Sequence, residues 1–279
     1  MLKKAYIEIT NRCNLRCSFC PGTSRAPRTM SPEEFELVLQ RLEGRVGYVY
    51  LHVMGEPLTH PQLDRLLAAA SARRLRVCIT TNGTLLARRG ETLLASPALH
   101  KVSVSLHSFE GNDGPREREK RYLEEVWAFA LQASSRGVIV ALRLWNGGGA
   151  EERNGAITDF LRERCPGEWP QPREGSFRLR EGLYLERAAR FDWPSLGADE
   201  SGTQFCLGLR DQLGVLADGT VTPCCLDHEG DVALGNLFVQ PLDEILQSSR
   251  ACALRDGFSR RVPVEELCRR CGFAARFNR

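Results

Sequence analysis

Short β-prone runs alternate with amphipathic helix patterns along residues 5–165, and this alternation constrains the fold more than any other feature. Strands that alternate with helices form parallel β/α units, whose crossovers are almost always right-handed. Five or six such units are too few to close an eight-stranded barrel. We therefore predict an α/β fold, a partial (β/α)6-type open barrel followed by a small C-terminal α+β domain. The predicted strands cover residues 6–10, 48–54, 76–81, 101–107 and 138–145.

Helix signals separate these strands. Ser31 suits an N-cap, Pro32 suits the first helical position, and Glu34 completes a capping box. A helical stripe of apolar residues follows this box, and it indicates a helix that packs on the sheet. Further helices are predicted at about 61–74, 85–95, 116–136 and 151–165.

The second half of the chain is organised differently. Residues 166–200 are rich in Pro, Gly, Arg and Trp, and we predict an irregular linker there with one strand at 176–180. Asp218-Gly219 lies between two short β-prone runs and predicts a hairpin over 213–223. One helix is predicted over 242–254. The predicted divisions are thus a barrel at 1–165, a linker at 166–200 and a second domain at 201–279.

Charge and cysteine content limit the function classes. The 279 residues carry 38 Lys and Arg against 35 Asp and Glu, and a net charge of +3 does not indicate nucleic-acid binding. No apolar run is long enough to span a membrane, so no membrane partner is expected. Eleven cysteines without an export signal indicate a reducing compartment and metal rather than disulfides. We expect a cytoplasmic monomer.

Three cysteines directly after the first predicted strand carry the strongest chemical signal. Cys13, Cys17 and Cys20 have the spacing C-x3-C-x2-C on one short loop. Three thiolates can hold three irons of a [4Fe–4S] cube and leave the fourth iron open for chemistry. A zinc site would favour two C-x2-C pairs, and disulfides would require an even number of cysteines.

This loop resembles the signature of the radical S-adenosylmethionine (radical SAM) superfamily. The resemblance implies that a [4Fe–4S] cluster binds SAM and that Phe19 lies beside its adenine. Gly55 and Glu56 match the family's Gly-Glu turn, which holds the amino group of SAM, although Met54 stands where the family has another glycine. The resemblance also implies an external low-potential electron donor, a flavodoxin or a ferredoxin.

Strand parity selects the side chains that face the barrel lumen. Every predicted strand has a polar face, which is unusual because buried parallel strands are normally apolar throughout. Buried polar groups without partners cost about 1–3 kcal/mol each, so this face is expected to meet a ligand. By family resemblance, Asn82, Ser105 and Arg143 would bind the ribose and carboxylate of SAM.

Three polar residues of the lumen are candidate catalytic residues. Glu8 is the best candidate for substrate contact, because a carboxylate in a lumen needs a cationic or hydroxylated partner. His107 lies at a strand end and is more easily explained by function than by packing. His52 could be a hydrogen-bonded core histidine or a catalytic histidine. Trp145 could pack in the core or provide a ring on which a ligand stacks.

A second cysteine set lies near the C-terminus. Cys206, Cys224, Cys268 and Cys271 resemble the auxiliary-cluster domains called SPASM and, in a shortened form, Twitch. Four thiolates would close a second [4Fe–4S] cluster, whose natural role is electron transfer with the substrate radical. Zinc held by the same four thiolates is the alternative. Cys225, beside Cys224, could also serve as the ligand.

The resemblance predicts a radical SAM enzyme, either a lyase or an oxidoreductase. The polar lumen favours a compact polar substrate such as a sugar, an aminocyclitol or a nucleoside, and a lyase that releases queuine from queuosine is one specific form. One alternative is a maturase that modifies a peptide or protein. The alternative that is not an enzyme is a zinc or iron–sulfur regulatory module. The near-neutral charge disfavours RNA binding by such a module.

Overall fold

The computed structural model describes residues 2–112, 116–201 and 205–277. Ten strands and eight α-helices occur within them. The strands are β1 (Lys4–Ile7), β2 (Tyr48–Tyr50), β3 (Arg76–Thr81), β4 (Leu99–Ser105), β5 (Ile139–Gly147), β6 (Ser176–Arg180), β7 (Leu183–Ala189), β8 (Gln212–Val215), β9 (Thr220–Thr222) and β10 (Gly235–Asn236). The helices are α1 (Pro32–Leu42), α2 (Leu63–Ala72), α3 (Leu86–Leu94), α4 (Arg116–Ser135), α5 (Asn154–Arg164), α6 (Leu242–Gln247), α7 (Ser249–Ser259) and α8 (Glu266–Arg269).

All ten strands belong to one open sheet in the order β10-β9-β8-β1-β2-β3-β4-β5-β7-β6. Strands β1 to β5 pair in parallel with their neighbours, and β7 continues the parallel series beside β5. Six parallel strands therefore form the partial barrel, which confirms the predicted fold class. The core between sheet and helices is apolar, and its fully buried members include Phe35, Leu39 and Leu66.

The stretch 166–200 is not irregular as the sequence predicts. The predicted strand at 176–180 is present as β6, but it forms an antiparallel hairpin with β7. β7 is the sixth parallel strand, and its register with β5 pairs Arg143 with Glu186. The sequence conceals this strand because Glu186 and Arg187 interrupt its apolar pattern. The barrel thus extends beyond the boundary predicted at residue 165.

The C-terminal part adds to the barrel sheet instead of forming a separate one. β8 pairs in parallel with β1, and β9 returns antiparallel to β8, which confirms the hairpin at Asp218-Gly219. The single helix predicted at 242–254 is wrong, because Ser248 divides it into α6 and α7. The backbone of Ser248 is extended, with ψ 149°, and its hydroxyl accepts a hydrogen bond from the Ala251 amide. Ser248 is therefore the N-cap of a new helix.

Three strands, β1, β2 and β4, end earlier than predicted, and this places the site residues on loops. β1 stops at Ile7 rather than residue 10, and β2 stops at Tyr50 rather than residue 54. β4 gives way to a 3-10 turn at Leu106–Ser108. The capping box of α1 is present as predicted, with Ser31 and Glu34 bonded reciprocally. Among the described residues, no helix has both the length and the apolar character that a membrane crossing requires.

Candidate active site

The loop that carries Cys13, Cys17 and Cys20 lies at the carboxyl end of the barrel strands. Asn11 closes the loop at its base, because its side chain donates to the Ala26 carbonyl (2.9 Å) and accepts from the Arg28 amide (2.7 Å). The three thiols border a cavity of about 400 Å³ whose other walls include the turn at Gly55. The three cysteines thus converge on one space, as ligands of one cluster must.

Two asparagines direct amide groups at these thiols. The Asn112 Nδ2 atom lies 3.1 Å from Cys17 Sγ, and the Asn82 Nδ2 atom lies 3.9 Å from Cys13 Sγ. Burial raises the pKa of both thiols. Amide donors to sulfur favour thiolates and tune the potential of a bound cluster. The donor set fits an iron–sulfur cluster.

The Gly55-Glu56 turn supports the cysteine loop from below. Gly55 has φ +76°, and a Cβ there would meet the Thr10 carbonyl oxygen at 2.3 Å. The Glu56 amide donates to the Arg12 carbonyl at 2.9 Å, so the turn and the loop are joined through their backbones. Glycine is required here both by the backbone angle and by the close approach.

The Glu56 side chain does not face the cavity where SAM was expected. Its carboxylate accepts from the Asn82 amide (2.7 Å), the Thr81 hydroxyl (2.8 Å) and the Leu58 amide (3.0 Å), and the residue is 2% exposed. These protein donors stabilise the carboxylate, although burial raises its pKa. The geometry therefore gives Glu56 a positioning role at the end of β3.

Glu8 is also occupied by protein groups, contrary to its predicted contact with substrate. Its carboxylate pairs with Arg25 at 2.7 Å and accepts from the amides of Met54 (3.1 Å) and Ala217 (3.2 Å). Arg25 donates in turn to the His228 carbonyl at 2.8 Å. Glu8 thus joins the cysteine loop, the end of β2 and the C-terminal hairpin. Its carboxylate is therefore engaged by protein groups and not directed at a substrate.

A second cavity, of about 300 Å³, lies beside the cysteine loop and shares Val53 and Trp193 with the first. It is bounded by side chains from the ends of β1 to β5 and from the C-terminal half of the chain. Its lining residues are Tyr6, Phe19, Tyr50, His52, Val53, Thr80, Ser105, His107, Arg143, Trp145, Arg190, Phe191, Trp193, Cys225, Leu226 and Phe273. Phe19, Ser105, Arg143, His52 and His107, which the sequence predicted as site residues, therefore meet in one cavity.

The two histidines of this cavity differ in their environments. His107 Nδ1 lies 3.1 Å from the Arg143 carbonyl, and its ring lies 4.9 Å from the Phe19 ring. His52 Nδ1 is shielded from solvent and has no hydrogen-bond partner among the described residues. Burial lowers the pKa of His52 to about 3, so its imidazole is neutral near pH 7. This nitrogen is thus both neutral and unpaired among the described residues.

Arg143 is held in place by a buried carboxylate and an aromatic ring. Its Nε lies 3.3 Å from Glu186, and its guanidinium lies 4.2 Å from the centroid of Trp145. Lys101 and Arg173 contact the same Glu186 at 3.2 and 2.7 Å. Three cations therefore share one carboxylate, and the site retains excess positive charge.

The sequence missed the residues that cover the cavity. Phe191 and Trp193 follow β7, and Phe273 lies in a 3-10 turn at Gly272–Phe277. Phe191 packs against both aromatic partners, with ring centroids 5.5 Å from Trp193 and 5.0 Å from Phe273. No periodic pattern marks these residues. Tyr6 and Tyr50, by contrast, share strand parity with predicted residues and could have been found.

Cys206, Cys224, Cys268 and Cys271 line one small pocket under Phe258. Among the described residues, no three His, Cys, Asp or Glu side chains converge closely enough to hold a single metal ion. The four thiols nevertheless border one space, where a [4Fe–4S] cluster or zinc would take them as ligands.

Comparison with known proteins agrees with this geometry. Residues 7–154, more than half of the chain, match the family described as the Radical SAM superfamily. The chain belongs to the radical SAM superfamily. Residues 206–272 match SPASM, described as an iron-sulfur cluster-binding domain. This radical SAM enzyme therefore uses a [4Fe–4S] cluster and SAM, and its C-terminal region provides auxiliary iron–sulfur ligation. The individual ligand roles of the seven cysteines stay predictions.

Curated relatives of this radical SAM enzyme carry a nucleotide in their names. A GTP 3',8-cyclase of Mycolicibacterium smegmatis is 34% identical over 140 residues, which are 47% of this chain and 38% of that protein. A probable GTP 3',8-cyclase of Methanocella arvoryzae is 39% identical over 107 residues, which are 37% of this chain and 34% of that protein. The chain thus spans less than half of the length of these relatives.

Solved radical SAM structures share the whole architecture. BtrN in complex with AdoMet and 2-DOIA has a TM-score of 0.61 at 18% identity, with 98% of this chain and 93% of that chain covered. Native anSMEcpe with bound AdoMet has a TM-score of 0.62 at 14% identity, with coverage of 97% and 87%. At these identities the likeness shows the fold alone.

Proposed function

We propose that this radical SAM enzyme abstracts hydrogen from a compact, ring-bearing substrate of the nucleoside type. The observation that carries the proposal is the lining of the 300 Å³ cavity, which combines aromatic rings with two arginines and has no Asp or Glu among its described lining residues. The volume lies at the lower end of the range for small-molecule sites, about 300–1,000 Å³.

The charge of the cavity separates the substrates that the sequence left open. Arg143 and Arg190 line it, and Arg190 pairs with the exposed Asp192. Among the described residues, Glu186 is the ion-pair partner that Lys101, Arg143 and Arg173 share. Two arginines and no carboxylate line the cavity itself, so a protonated amine there would meet like charge and find no acidic partner in the lining. The positive lining therefore disfavours an aminocyclitol and favours a neutral or anionic substrate.

The aromatic lining favours a planar ring over an aliphatic sugar. Six aromatic side chains besides the histidines and Phe19 border the cavity: Tyr6, Tyr50, Trp145, Phe191, Trp193 and Phe273. Stacking of a base on an aromatic side chain contributes about 1–3 kcal/mol. The nucleotide in the names of the curated relatives supports the same substrate class. The cavity opens toward the cysteine-loop cavity through Val53 and Trp193, so the two spaces together would hold SAM and one compact ring-bearing substrate.

The residues divide into a cofactor side and a substrate side. We place SAM against Phe19, Ser105 and Arg143, where the charge-assisted bond of the guanidinium would hold the SAM carboxylate. When bound, the cluster at the three-cysteine loop supplies the electron that cleaves SAM reductively. Asn82 would orient the methionine end of SAM, and its contact with Cys13 supports this role. The aromatic cover excludes water and competing hydrogens from the reacting carbon.

Hydrogen transfer from isotopically labelled candidates tests the proposal. Anaerobic holoprotein would be incubated with SAM, dithionite and perdeuterated probes, and 5'-deoxyadenosine would be analysed by mass spectrometry. The probes would be guanosine, queuosine, a 2-deoxystreptamine-type aminocyclitol and a short peptide. We expect deuterium in 5'-deoxyadenosine with a nucleoside and none with the aminocyclitol. Label transfer from the peptide alone would favour the maturase alternative and contradict the proposal.

A further inference from the structure

Cys224 and Cys225 are neighbours in the chain, but they face different spaces. Cys224 lines the four-cysteine pocket, whereas Cys225 lines the barrel cavity. Both residues lie in the bend and turn that follow β9, and this local backbone sends their side chains to different pockets. The sequence left open whether Cys225 could replace Cys224 as a ligand. The structure gives it another environment.

Cys225 contacts the hydroxyl of Tyr6 on β1. The same cavity wall includes Phe19, Ser105 and Arg143, against which SAM is placed above. A hydrogen donor at Cys225 would therefore face the space in which the substrate radical forms. This thiol is distinct from the seven predicted ligands.

A second observation shows that this space is built for a ligand. His52 also lines the cavity, and its Nδ1 is buried without a hydrogen-bond partner among the described residues. An unpaired buried polar atom costs about 1–3 kcal/mol, which a bound ligand can recover. Cys225 therefore borders a binding site and not a void.

We propose that Cys225 donates a hydrogen atom to the substrate radical and thereby completes the reaction. The proposal rests on the proposed function, since it concerns the same cavity. In the first step the substrate loses one C–H hydrogen, which becomes the third hydrogen on C5' of 5'-deoxyadenosine. In the second step the rearranged substrate radical takes hydrogen from the Cys225 S–H bond and forms a closed-shell product. Cys225 becomes a thiyl radical.

One electron and one proton restore the thiol. The electron comes from the same class of low-potential one-electron donor that reductive SAM cleavage requires, and the proton comes from solvent. Each turnover then uses two electrons and one proton, and it forms methionine and 5'-deoxyadenosine from SAM. A C–H bond is broken and another is made, so the substrate is rearranged, epimerised or fragmented without net oxidation.

The first test measures iron, which does not depend on turnover. Cys225→Ala and Cys225→Ser are expected to retain the wild-type iron content, about eight irons per chain if both cubanes form. Cys224→Ala, the matched neighbour, is expected to lose about half of that iron. Loss of half the iron from both Cys225 variants would make Cys225 a ligand and overturn the proposal.

The second test needs no substrate, so it remains decisive if no nucleoside is accepted. SAM is cleaved with dithionite in D2O, where a thiol carries exchangeable deuterium and a carbon donor does not. We expect monodeuterated 5'-deoxyadenosine from the wild type. In the Cys225 variants the deuterated fraction is expected to fall at least tenfold. Cys225→Ser is the stricter variant, since it conserves size while its O–H bond is a poorer hydrogen donor.

Cys78→Ala is the matched thiol control for this experiment. Cys78 is buried on β3 and contacts Tyr50, but it does not line the cavity. Its variant is expected to keep the deuterium label. An unchanged label in both Cys225 variants, or loss of the label in Cys78→Ala, would overturn the proposal. Once a substrate is found, its product formed in D2O is expected to contain one carbon-bound deuterium that depends on Cys225.

Discussion

Polar residues of the barrel end have two different roles, which the sequence could not separate. Glu8 and Glu56 form hydrogen bonds with backbone amides and hold the loops together. Arg143, His52 and His107 line the cavity. Strand parity selected all five residues from the same face. It cannot show where a strand ends, and β1 ends one residue before Glu8.

Glu8→Ala is expected to destabilise the protein instead of affecting only substrate binding. Removal of one partner from a buried ion pair typically costs about 3–5 kcal/mol, because the remaining charge is uncompensated. Arg25, whose side chain is 17% exposed, would be left in that state. Denaturant unfolding under anaerobic conditions would measure the change. Glu33→Ala, which breaks an exposed ion pair with Arg65, is the control and should change stability by less than about 1 kcal/mol. Unchanged stability in Glu8→Ala would restore a direct role in substrate binding.

His52 is expected to make stability depend on pH. Its folded pKa of about 3 lies below the ordinary value of 6.5, because burial disfavours the charged ring. The unfolded chain therefore takes up a proton between these values and the folded chain does not, so stability falls as the pH falls through this window. Between pH 6.5 and 5.0 the wild type should lose about 1.5 kcal/mol more than His52→Gln. Equal losses in both proteins, measured by denaturant unfolding, would contradict the buried neutral histidine.

Helices and strands that are marked by a cap or turn motif in their own sequence lie where they were predicted. Elements that depend on distant partners were missed. α1 has its capping box and β9 has its Asp-Gly turn. β7 was missed because its parallel partner β5 stabilises a sequence that looks irregular alone. The aromatic cover of Phe191, Trp193 and Phe273 was missed for the same reason. These residues come from segments far apart in the chain, and only the tertiary fold brings them together.

The turn after β2 gives a prediction at the scale of an element. Gly55→Ala would place a Cβ against the backbone of the cysteine loop, so we expect this variant to lose about half of the iron, the part held by that loop. Gly44→Ala is the matched control, because φ is +69° there and no atom lies within 4 Å of the added Cβ. It shares the backbone strain and lacks the clash. Equal iron content in Gly55→Ala and wild type would show that the loop does not depend on the turn.

All ten described strands belong to one sheet, and the two cysteine sites lie on segments that follow strands of this sheet. β8 extends the barrel sheet beside β1, so the C-terminal region is anchored to the strand that precedes the first site. The residues next to the second site also form the cavity wall. Cys225 follows Cys224, and Phe273 lies two residues after Cys271. The second site is therefore placed to shape the cavity.

Loss of the second site should separate cofactor chemistry from product formation. Cys268→Ala with Cys271→Ala should loosen the segment that carries Phe273, because metal binding contributes folding energy in small sites. The loop with Cys13, Cys17 and Cys20 is held by Asn11 and Gly55 and should still support slow SAM cleavage. 5'-Deoxyadenosine and product would be quantified together once the substrate is known. Full product yield from the double variant would show that the second site has only a structural role.

The central claim is that the chain binds two separate iron–sulfur clusters. The iron and zinc content per chain tests this claim most directly. Anaerobically reconstituted wild type should contain about eight irons and no zinc. The triple variant of Cys13, Cys17 and Cys20 to Ala should contain about four, and so should the Cys268→Ala, Cys271→Ala variant. A wild-type content of about four irons with one zinc, or loss of all iron from either variant, would contradict the account.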